Sequence, residues 1–246
     1  MEIDKGSQAS KDQLSEVLVH GEITSLELMP QGSNDTFLVT VSDGLHTREA
    51  VYKPRRGERP LWDFPSGTLY KREYAAYLVS QALSWDLIPC TVIREGPYGI
   101  GSLQEFIDMD PRSNYFTLRE ERPEEMERIA LFDCLSNNAD RKASHCFKDW
   151  GGTVWSIDHG LTFHQDPKLR TVIWDFAQET ISGHLIEQVA GLLENLSSSK
   201  SLSRQLDSLL APEELAALRE RLKTLLNSRR FPFYDPNRRN VPWPWF

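Results

Sequence analysis

The chain has 246 residues, of which 39% are hydrophobic and 26% charged, and its formal net charge at pH 7 is −8. This composition is that of a globular protein, and the acidic balance argues against broad electrostatic binding to nucleic acid or an anionic membrane surface. No window approaches the roughly 20 apolar residues of a membrane span, and the start lacks the regions of a signal peptide, so we predict a cytoplasmic protein without a transmembrane segment.

The first 107 residues are predicted to form a small α+β lobe. Apolar residues at helical spacing indicate a short leading helix that ends at Gly21. Three strand-like runs follow between residues 22 and 53 and predict an antiparallel meander. A loop rich in Pro and Gly leads to a helix over residues 68–85, and two further strands complete the lobe.

The remaining residues are predicted to form a mainly helical second lobe. Its helices are expected over residues 124–136, 178–197 and 212–228. A hairpin is predicted over residues 146–158, and a Ser-rich connection separates the last two helices. The tail after residue 228 is too rich in Pro for a helix and too aromatic to stay in water, so we expect it to pack onto the body of the protein.

Two short segments concentrate polar groups in this second lobe: NNADRKASH, residues 137–145, and IDHG, residues 157–160. Asp140 lies in a loop after a helix, and Asp158 lies 18 residues later at the end of a strand, before Gly160. Phosphoryl transfer needs one carboxylate that faces the acceptor hydroxyl and another that holds Mg²⁺ on the nucleotide phosphates. The spacing therefore favours a phosphotransfer site.

The first lobe contains the parts that such a site requires. Lys53 ends the third strand in AVYK, Glu73 lies on the following helix, and MPQGSNDTF is a polar turn between the first two strands. Each feature alone is more typical of a solvated charge or an ordinary turn, and only the ordered set indicates nucleotide binding.

With GSNDTF, AVYKP, NNADRKASH and IDHG together, the chain resembles the protein-kinase-like superfamily and, within it, the phosphatidylinositol 3-/4-kinase-related and HipA-like branch. It looks most like small bacterial proteins labelled phosphatidylinositol kinase-like. The resemblance implies a two-lobed α+β kinase-like fold, with lobes over residues 1–107 and 108–246 and ATP between them. It implies an ATP-dependent phosphotransferase with Mg²⁺ or Mn²⁺ and an acceptor that the sequence does not specify.

The resemblance also implies residue roles. Asp140 is the implied catalytic Asp and Asp158 the metal ligand, while Arg141 and Lys142 either clamp phosphate or act as counter-charges to the two carboxylates. The implied nucleotide-contacting residues are Gly32, Ser33, Asn34, Lys53, Glu73, Glu105, Phe106 and Ile107.

One position departs from the relatives' pattern. Where the relatives have Asp-Arg-His-x-x-Asn, this chain has DRKASH, so His145 occupies the position at which the relatives have the Asn that is their second metal ligand. Imidazole suits Mn²⁺ or Zn²⁺ better than Mg²⁺, and Asn137 or Asn138 is the alternative source of an amide ligand.

Three alternatives remain open on the sequence. A pseudokinase would bind nucleotide without turnover, and a nucleotidyl transferase would use the same residues for a different transfer. A metal hydrolase would combine the two aspartates with His145, His159 and His164. The acceptor of a kinase is as consistent with a soluble small molecule or a protein side chain as with a lipid head group, and Arg170 or Thr171 either contacts it or docks a strand.

Overall fold

The computed structural model describes residues 5–30, 32–197 and 201–246. The chain divides into two compact units, one that ends at Tyr77 and resumes over Pro89–Ile107, and one that comprises Leu78–Ile88 and Asp108–Phe246. Residues 78–88 belong to the second unit because Trp85 packs edge-on against Phe132 and donates a hydrogen bond to Gln188. Among the described helices, none is long and apolar enough to cross a lipid bilayer.

The first unit is built on a five-stranded antiparallel sheet in the order β1-β2-β3-β5-β4. Its elements are α1 (Lys5–His20), β1 (Glu22–Leu28), β2 (Phe37–Ser42), β3 (Thr47–Pro54), β4 (Thr91–Gly96), β5 (Gly99–Glu105) and the first part of α2 (Leu69–Ala82). Val39 and Val41 of β2 are fully buried while their neighbours are half-buried, which is the period of two that a strand requires. Val17 and Leu18 of α1 pack into the same core.

A glycine sets how closely β5 approaches β3. Gly101 pairs with Pro54, and a Cβ atom at this position would overlap the main-chain oxygen of Lys53 and lie 2.7 Å from the Cα of Pro54. Only the absence of a side chain allows the two strands to pair here. The end of β3, which carries Lys53, is therefore fixed by backbone contact.

The second unit is mainly helical, as the sequence predicts. Its elements are α3 (Tyr115–Glu121), α4 (Pro123–Ser136), the hairpin strands β6 (Cys146–Lys148) and β7 (Val154–Ser156), α5 (Gly183–Ser197), α6 (Ser201–Asp207) and α7 (Pro212–Ser228). Helix α4 begins with Pro123, which has the backbone angle of a first helical turn, and ends at Asn137 in the left-handed conformation. The helix therefore stops directly before the polar loop.

Two short helices were not predicted. Helix α3 has seven residues, too few for a periodic pattern, and Asn114 and Thr117 stabilise its start by a reciprocal capping box. Helix α6 occupies the end of the predicted Ser-rich connection, whose residues 198–200 lie outside the described residues. The helix predicted from residue 178 begins at Gly183.

The C-terminal tail packs onto the second unit, as its aromatic composition predicts. The main-chain oxygen of Asn240 accepts a hydrogen bond from the amide of Thr171 at 2.9 Å, and that of Trp245 accepts one from the amide of Ala143 at 2.9 Å. The Trp245 ring packs edge-on against Phe116. The tail thus contacts the polar loop that follows α4.

Candidate active site

The first unit brings together the lysine and glutamate that the sequence singled out. Lys53 lies near the end of β3, next to the fully buried Tyr52, and its ammonium donates a hydrogen bond to the carboxylate of Glu73 on α2. The side chain of Glu73 is only 3% exposed, against 26% for Lys53. A buried carboxylate on a helix therefore orients a partly exposed ammonium.

The turn between β1 and β2 contains Gly32, Ser33 and Asn34. Gly32 has φ +105°, which favours glycine, and apart from its chain neighbours no atom of the described residues lies within 4 Å of where a Cβ would be. The side-chain oxygen of Asn34 accepts a hydrogen bond from the amide of Arg59 at 2.8 Å. Asn34 thus ties the turn to the chain that follows β3, and Gly32 leaves its tip sterically open.

In the predicted adenine-binding segment, Glu105 to Ile107, two of the three main-chain amides are engaged within the first unit. The amide of Glu105 donates to the main-chain oxygen of Cys90 at 2.8 Å, and the amide of Phe106 donates to that of Glu49 at 3.0 Å. Both amides are committed to bonds within the first unit, so they are not donors for a nucleotide base. Of the three predicted residues, only Ile107 has an amide outside these two bonds.

The loop after α4 is held by two asparagines. The Asn138 side chain accepts from the amide of Asp140 at 2.9 Å and donates to Asp133 at 3.0 Å. Asn137 donates to the main-chain oxygens of His164 and Asp166 and accepts from the amide of Lys168 at 2.8 Å. Both amides shape the loop. The alternative in which one of them replaces the second metal ligand is therefore not supported.

Asp140 is partly buried and forms an ion pair with Lys142 at 3.0 Å. Burial raises the pKa of Asp140 above its ordinary value, Lys142 opposes the shift, and the nearby carboxylate of Asp158 adds to it. A carboxylate with a raised pKa accepts a proton more readily than an ordinary one. Asp140 is therefore a partly buried carboxylate whose ionised form is stabilised by Lys142 and opposed by burial and by Asp158.

Asp158 follows β7 and has φ +61°, an unusual backbone conformation for a residue with a side chain. Its side chain is 47% exposed, and its Oδ2 lies 3.4 Å from Nε2 of His145. The amide of Ile157 donates to the main-chain oxygen of His145 at 3.0 Å, which joins the two segments. The structure thus brings together the two residues predicted as metal ligands.

Asp158 and His145 are chemically able to supply part of the ligand set of a divalent ion. Across the described residues, no three His, Cys, Asp or Glu side chains are grouped closely enough to hold a metal on their own. Mg²⁺ in phosphotransfer sites is held by one or two carboxylates together with substrate phosphates, and Asp158 supplies one such carboxylate. One imidazole and one carboxylate suit Mn²⁺ better than Mg²⁺.

Arg141 does not face the site, contrary to the prediction that it clamps phosphate or pairs with Asp140 and Asp158. It is fully buried, and its guanidinium pairs with Asp133 on α4, with nitrogen–oxygen distances from 3.1 Å. It also donates to the main-chain oxygen of Ile157 at 2.8 Å. Arg141 is a positioning residue that joins α4 to the segment before Asp158.

Asp133 is the residue that sequence reasoning missed. It is fully buried, and besides Arg141 it accepts hydrogen bonds from Asn138 and from the hydroxyl of Thr171 at 3.0 Å. The signal was a lone carboxylate in the apolar sequence ALFDCL at the end of a helix. A charge there must have a buried partner.

A His-rich hydrolase site would require His145, His159 and His164 to lie around one metal ion. In the structure, His159 and His164 have other hydrogen-bonding partners. His159 is fully buried, and its Nε2 accepts a hydrogen bond from Arg141 at 2.8 Å. His164 accepts from the amide of Asp166 at 2.9 Å. His145 lies beside Asp158, and among the described residues no three His, Cys, Asp or Glu side chains are grouped as a metal site, so the structure does not support the hydrolase alternative.

Comparison with known proteins identifies the family. No protein-family profile matches the chain. Protein Rv2133c of Mycobacterium tuberculosis (strain ATCC 25618 / H37Rv) is 39% identical over 272 aligned residues, which cover 96% of each protein. The chain belongs to the same family as Rv2133c.

Solved structures identify the fold. A Golgi casein kinase with Mn/ADP bound superposes with a TM-score of 0.62 at 15% identity, over 90% of this chain and 76% of that one. A second Golgi casein kinase structure gives 0.55 at 16% identity over 92% and 80%, respectively. The Helicobacter pylori proinflammatory kinase CtkA gives 0.53 at 10% identity over 87% and 94%. The chain therefore has the predicted α+β protein-kinase-like fold.

Proposed function

We propose that the protein is an ATP-dependent phosphotransferase that moves the γ-phosphoryl group of ATP to a hydroxyl group. The observation that carries the proposal is the ion pair of Lys53 with the buried Glu73, within a kinase-like fold. A lysine held in this way contacts nucleotide phosphates in protein kinases. The motifs shared with the phosphatidylinositol 3-/4-kinase-related and HipA-like branch support the proposal, and so does the Mn/ADP bound in a structural neighbour.

Asp140 is the proposed proton acceptor. The acceptor hydroxyl oxygen would form a bond to the γ-phosphorus, the bond from that phosphorus to the β–γ bridging oxygen would break, and ADP would leave. The hydroxyl proton would pass to the Asp140 carboxylate, whose raised pKa favours its transfer. The ammonium of Lys142, 3.0 Å from this carboxylate, stabilises its ionised form.

Asp158 and His145 are the proposed protein ligands of Mg²⁺ or Mn²⁺. When bound, the ion would neutralise charge on the nucleotide phosphates. The partial exposure of Asp158 leaves its carboxylate accessible to such a ligand, and the 3.4 Å separation from His145 allows both side chains to share one ion. We propose that the open turn at Gly32, Ser33 and Asn34 covers the phosphates.

A pseudokinase is the second candidate, and it is favoured by one observation. The residue paired with Asp158 is His145, where active relatives in the resembled branch have Asn. A weaker site for Mg²⁺ would leave nucleotide binding intact while slowing transfer. The two candidates agree on binding and differ on turnover.

The test measures binding and turnover separately. The thermal midpoint is recorded with ATP, ADP or GTP, each with Mg²⁺, Mn²⁺ or EDTA, for the wild type, Lys53→Met and Asp158→Ala. A ligand at 100 times its dissociation constant stabilises the folded state by about 2.7 kcal/mol, which is readily measured. Asp207→Ala is the matched control, because Asp207 is an exposed carboxylate on α6. Released ADP and pyrophosphate are then quantified to separate phosphoryl from nucleotidyl transfer.

We expect a metal-dependent shift with ATP that both site variants lose and the control retains, together with release of ADP. Binding without turnover in either metal would establish the pseudokinase instead. A wild type that shows no shift with any nucleotide would refute both candidates.

A further inference from the structure

A cavity of about 540 Å³ lies within the second unit, between residues 167–174 and residues 232–240 of the tail. Its walls carry four cationic side chains, Lys168, Arg170, Arg238 and Arg239, and one carboxylate, Asp235. The excess of positive charge is local, because the whole chain has a net charge of −8. A concave surface with one sign of charge raises the local concentration of ligands of the opposite sign.

The protein neutralises only part of this charge. Arg238 lies 3.4 Å from Asp235, and Arg239 donates to the main-chain oxygen of Val241 at 3.3 Å. Within the described ranges of the chain, the guanidinium of Arg170 makes neither a hydrogen bond nor an ion pair, although the residue is half-buried. Arg170 is one of the residues that line the cavity, and a guanidinium without a protein partner suits bidentate binding of a phosphate.

The cavity is joined to the loop that carries Asp140. The amide of Arg170 donates to the main-chain oxygen of Asn138 at 2.8 Å, and the amide of Arg141 donates to that of Arg170 at 3.0 Å. These bonds hold Arg170 to residues on both sides of Asp140. A ligand bound through Arg170 would therefore have a defined position relative to the proposed general base.

The other wall is held to the same segment. The main-chain oxygen of Asn240 accepts from the amide of Thr171 and from the indole of Trp174 at 3.1 Å. Trp174 and the exposed Phe233 add aromatic surface to the cavity. The cavity thus combines cationic groups with flat apolar groups, which is the chemistry that suits a phosphate attached to a ring.

We propose that this cavity binds the phosphate group of a small, hydroxyl-bearing phosphomonoester such as a sugar phosphate, and that this molecule is the acceptor. The assignment as acceptor rests on the proposed function, while the anion site rests on the cavity alone. The volume lies within the range of small-molecule sites, about 300–1,000 Å³. The free hydroxyl of the bound molecule is the group that would attack the γ-phosphorus in the transfer described above.

Isothermal titration of the full-length protein, without nucleotide or metal, tests the site. The probes are inorganic phosphate, glucose 6-phosphate and glucose, each titrated into the wild type, Arg170→Ala and Lys53→Met. The control is Arg204→Ala, since Arg204 is exposed on α6 and does not line the cavity. Arg170→Ala removes no hydrogen bond of the folded protein within its described parts, because the bonds of Arg170 are made by its main chain.

We expect both phosphates to bind and glucose not to bind. Loss of a charged hydrogen-bonding partner should weaken phosphate binding by about 10-fold or more in Arg170→Ala and leave Arg204→Ala unchanged. Higher ionic strength should weaken binding in the wild type.

Two results would overturn the proposal. One is that neither inorganic phosphate nor glucose 6-phosphate binds, or that both bind equally well to the wild type and to Arg170→Ala. The other is loss of phosphate binding in Lys53→Met with Arg170→Ala unaffected, which would assign the anion to the nucleotide-contacting residues. The proposed function has a separate readout: absence of ATP binding alongside Arg170-dependent phosphate binding would refute the kinase and leave the anion site in place.

Discussion

Replacing Arg141 by Met removes the buried guanidinium that joins three segments around the candidate site. The wild-type side chain pairs with Asp133 on α4 and donates to Ile157 and His159. Met fills a similar volume but makes none of these bonds, so the carboxylate of Asp133 stays buried without its cation. Breaking a buried ion pair by removing one partner costs about 3–5 kcal/mol.

The lower end of this range applies here. Asp133 retains its hydrogen bonds from Asn138 and Thr171, which satisfy part of the carboxylate. We therefore expect a loss of about 3 kcal/mol, which at roughly 2–4 °C per kcal/mol lowers the thermal midpoint by about 6–12 °C. The thermal midpoint is measured by circular dichroism during heating.

The loss should also depend on pH. Burial raises the pKa of Asp133, and Arg141 opposes that shift, so removing the cation raises the pKa further. A carboxyl group whose pKa is higher in the folded than in the unfolded state contributes stability at low pH and loses it as the pH rises through the folded-state pKa. The deficit of Arg141→Met should therefore be larger at about pH 8 than at about pH 5.

Two variants control this experiment. Arg112→Met makes the same substitution in an ion pair with Asp110 where the Arg side chain is 83% exposed, and it should barely change the midpoint. The double variant Asp133→Leu with Arg141→Met removes both charges and should recover part of the loss. If Arg141→Met were as stable as Arg112→Met at both pH values, the buried ion pair would not hold these segments together.

Three further predictions follow from the strands and loop around the site. Gly101→Ala should lower the thermal midpoint, because the added methyl group would overlap the main chain of β3, and an unchanged midpoint would contradict the close strand approach. Lys142→Met should move the acid limb of the rate–pH profile to higher pH, because Lys142 lowers the pKa of Asp140 and the general base must be ionised. An acid limb at the wild-type pH would contradict the role of Asp140 as the general base. His145→Asn should raise the ratio of Mg²⁺-supported to Mn²⁺-supported ATP turnover, because an amide oxygen suits Mg²⁺ better than imidazole does. An unchanged ratio would exclude His145 as a ligand of the metal ion.

The sequence predicted the elements whose signal is local. The alternation of β2, the start of α4 at Pro123 and the hairpin before Asp158 each depend on residues close together in the chain. Because the order of these elements is also local information, the sequence placed a lysine on a strand and a glutamate on the next helix. Their contact, Lys53 with Glu73, then follows from the kinase-like fold.

Short helices and committed main-chain groups were harder to predict. A helix as short as α3 shows fewer than two full repeats of the helical period, so no pattern distinguishes it from a loop. The amides of Glu105 and Phe106 donate hydrogen bonds to the main-chain oxygens of Cys90 and Glu49, which are distant in the sequence. Residue identity carries no information about whether a main-chain donor is already used.

Composition and periodicity were sufficient to determine the α+β class and the order of the strands and longer helices, and the sequence itself shows the concentration of polar groups in two short segments. Only the tertiary structure decided which of those groups are buried and which partners they contact. Arg141 could have paired with Asp140 or Asp158, yet it lies inside the second unit with Asp133. The cavity forms from residues 167–174 and from residues 232–240 of the tail, which are distant in the chain. A charged side chain pairs with the partner that the packing of distant segments brings within hydrogen-bonding distance. Because that packing also determines burial, the partner cannot be predicted from residues close together in the chain.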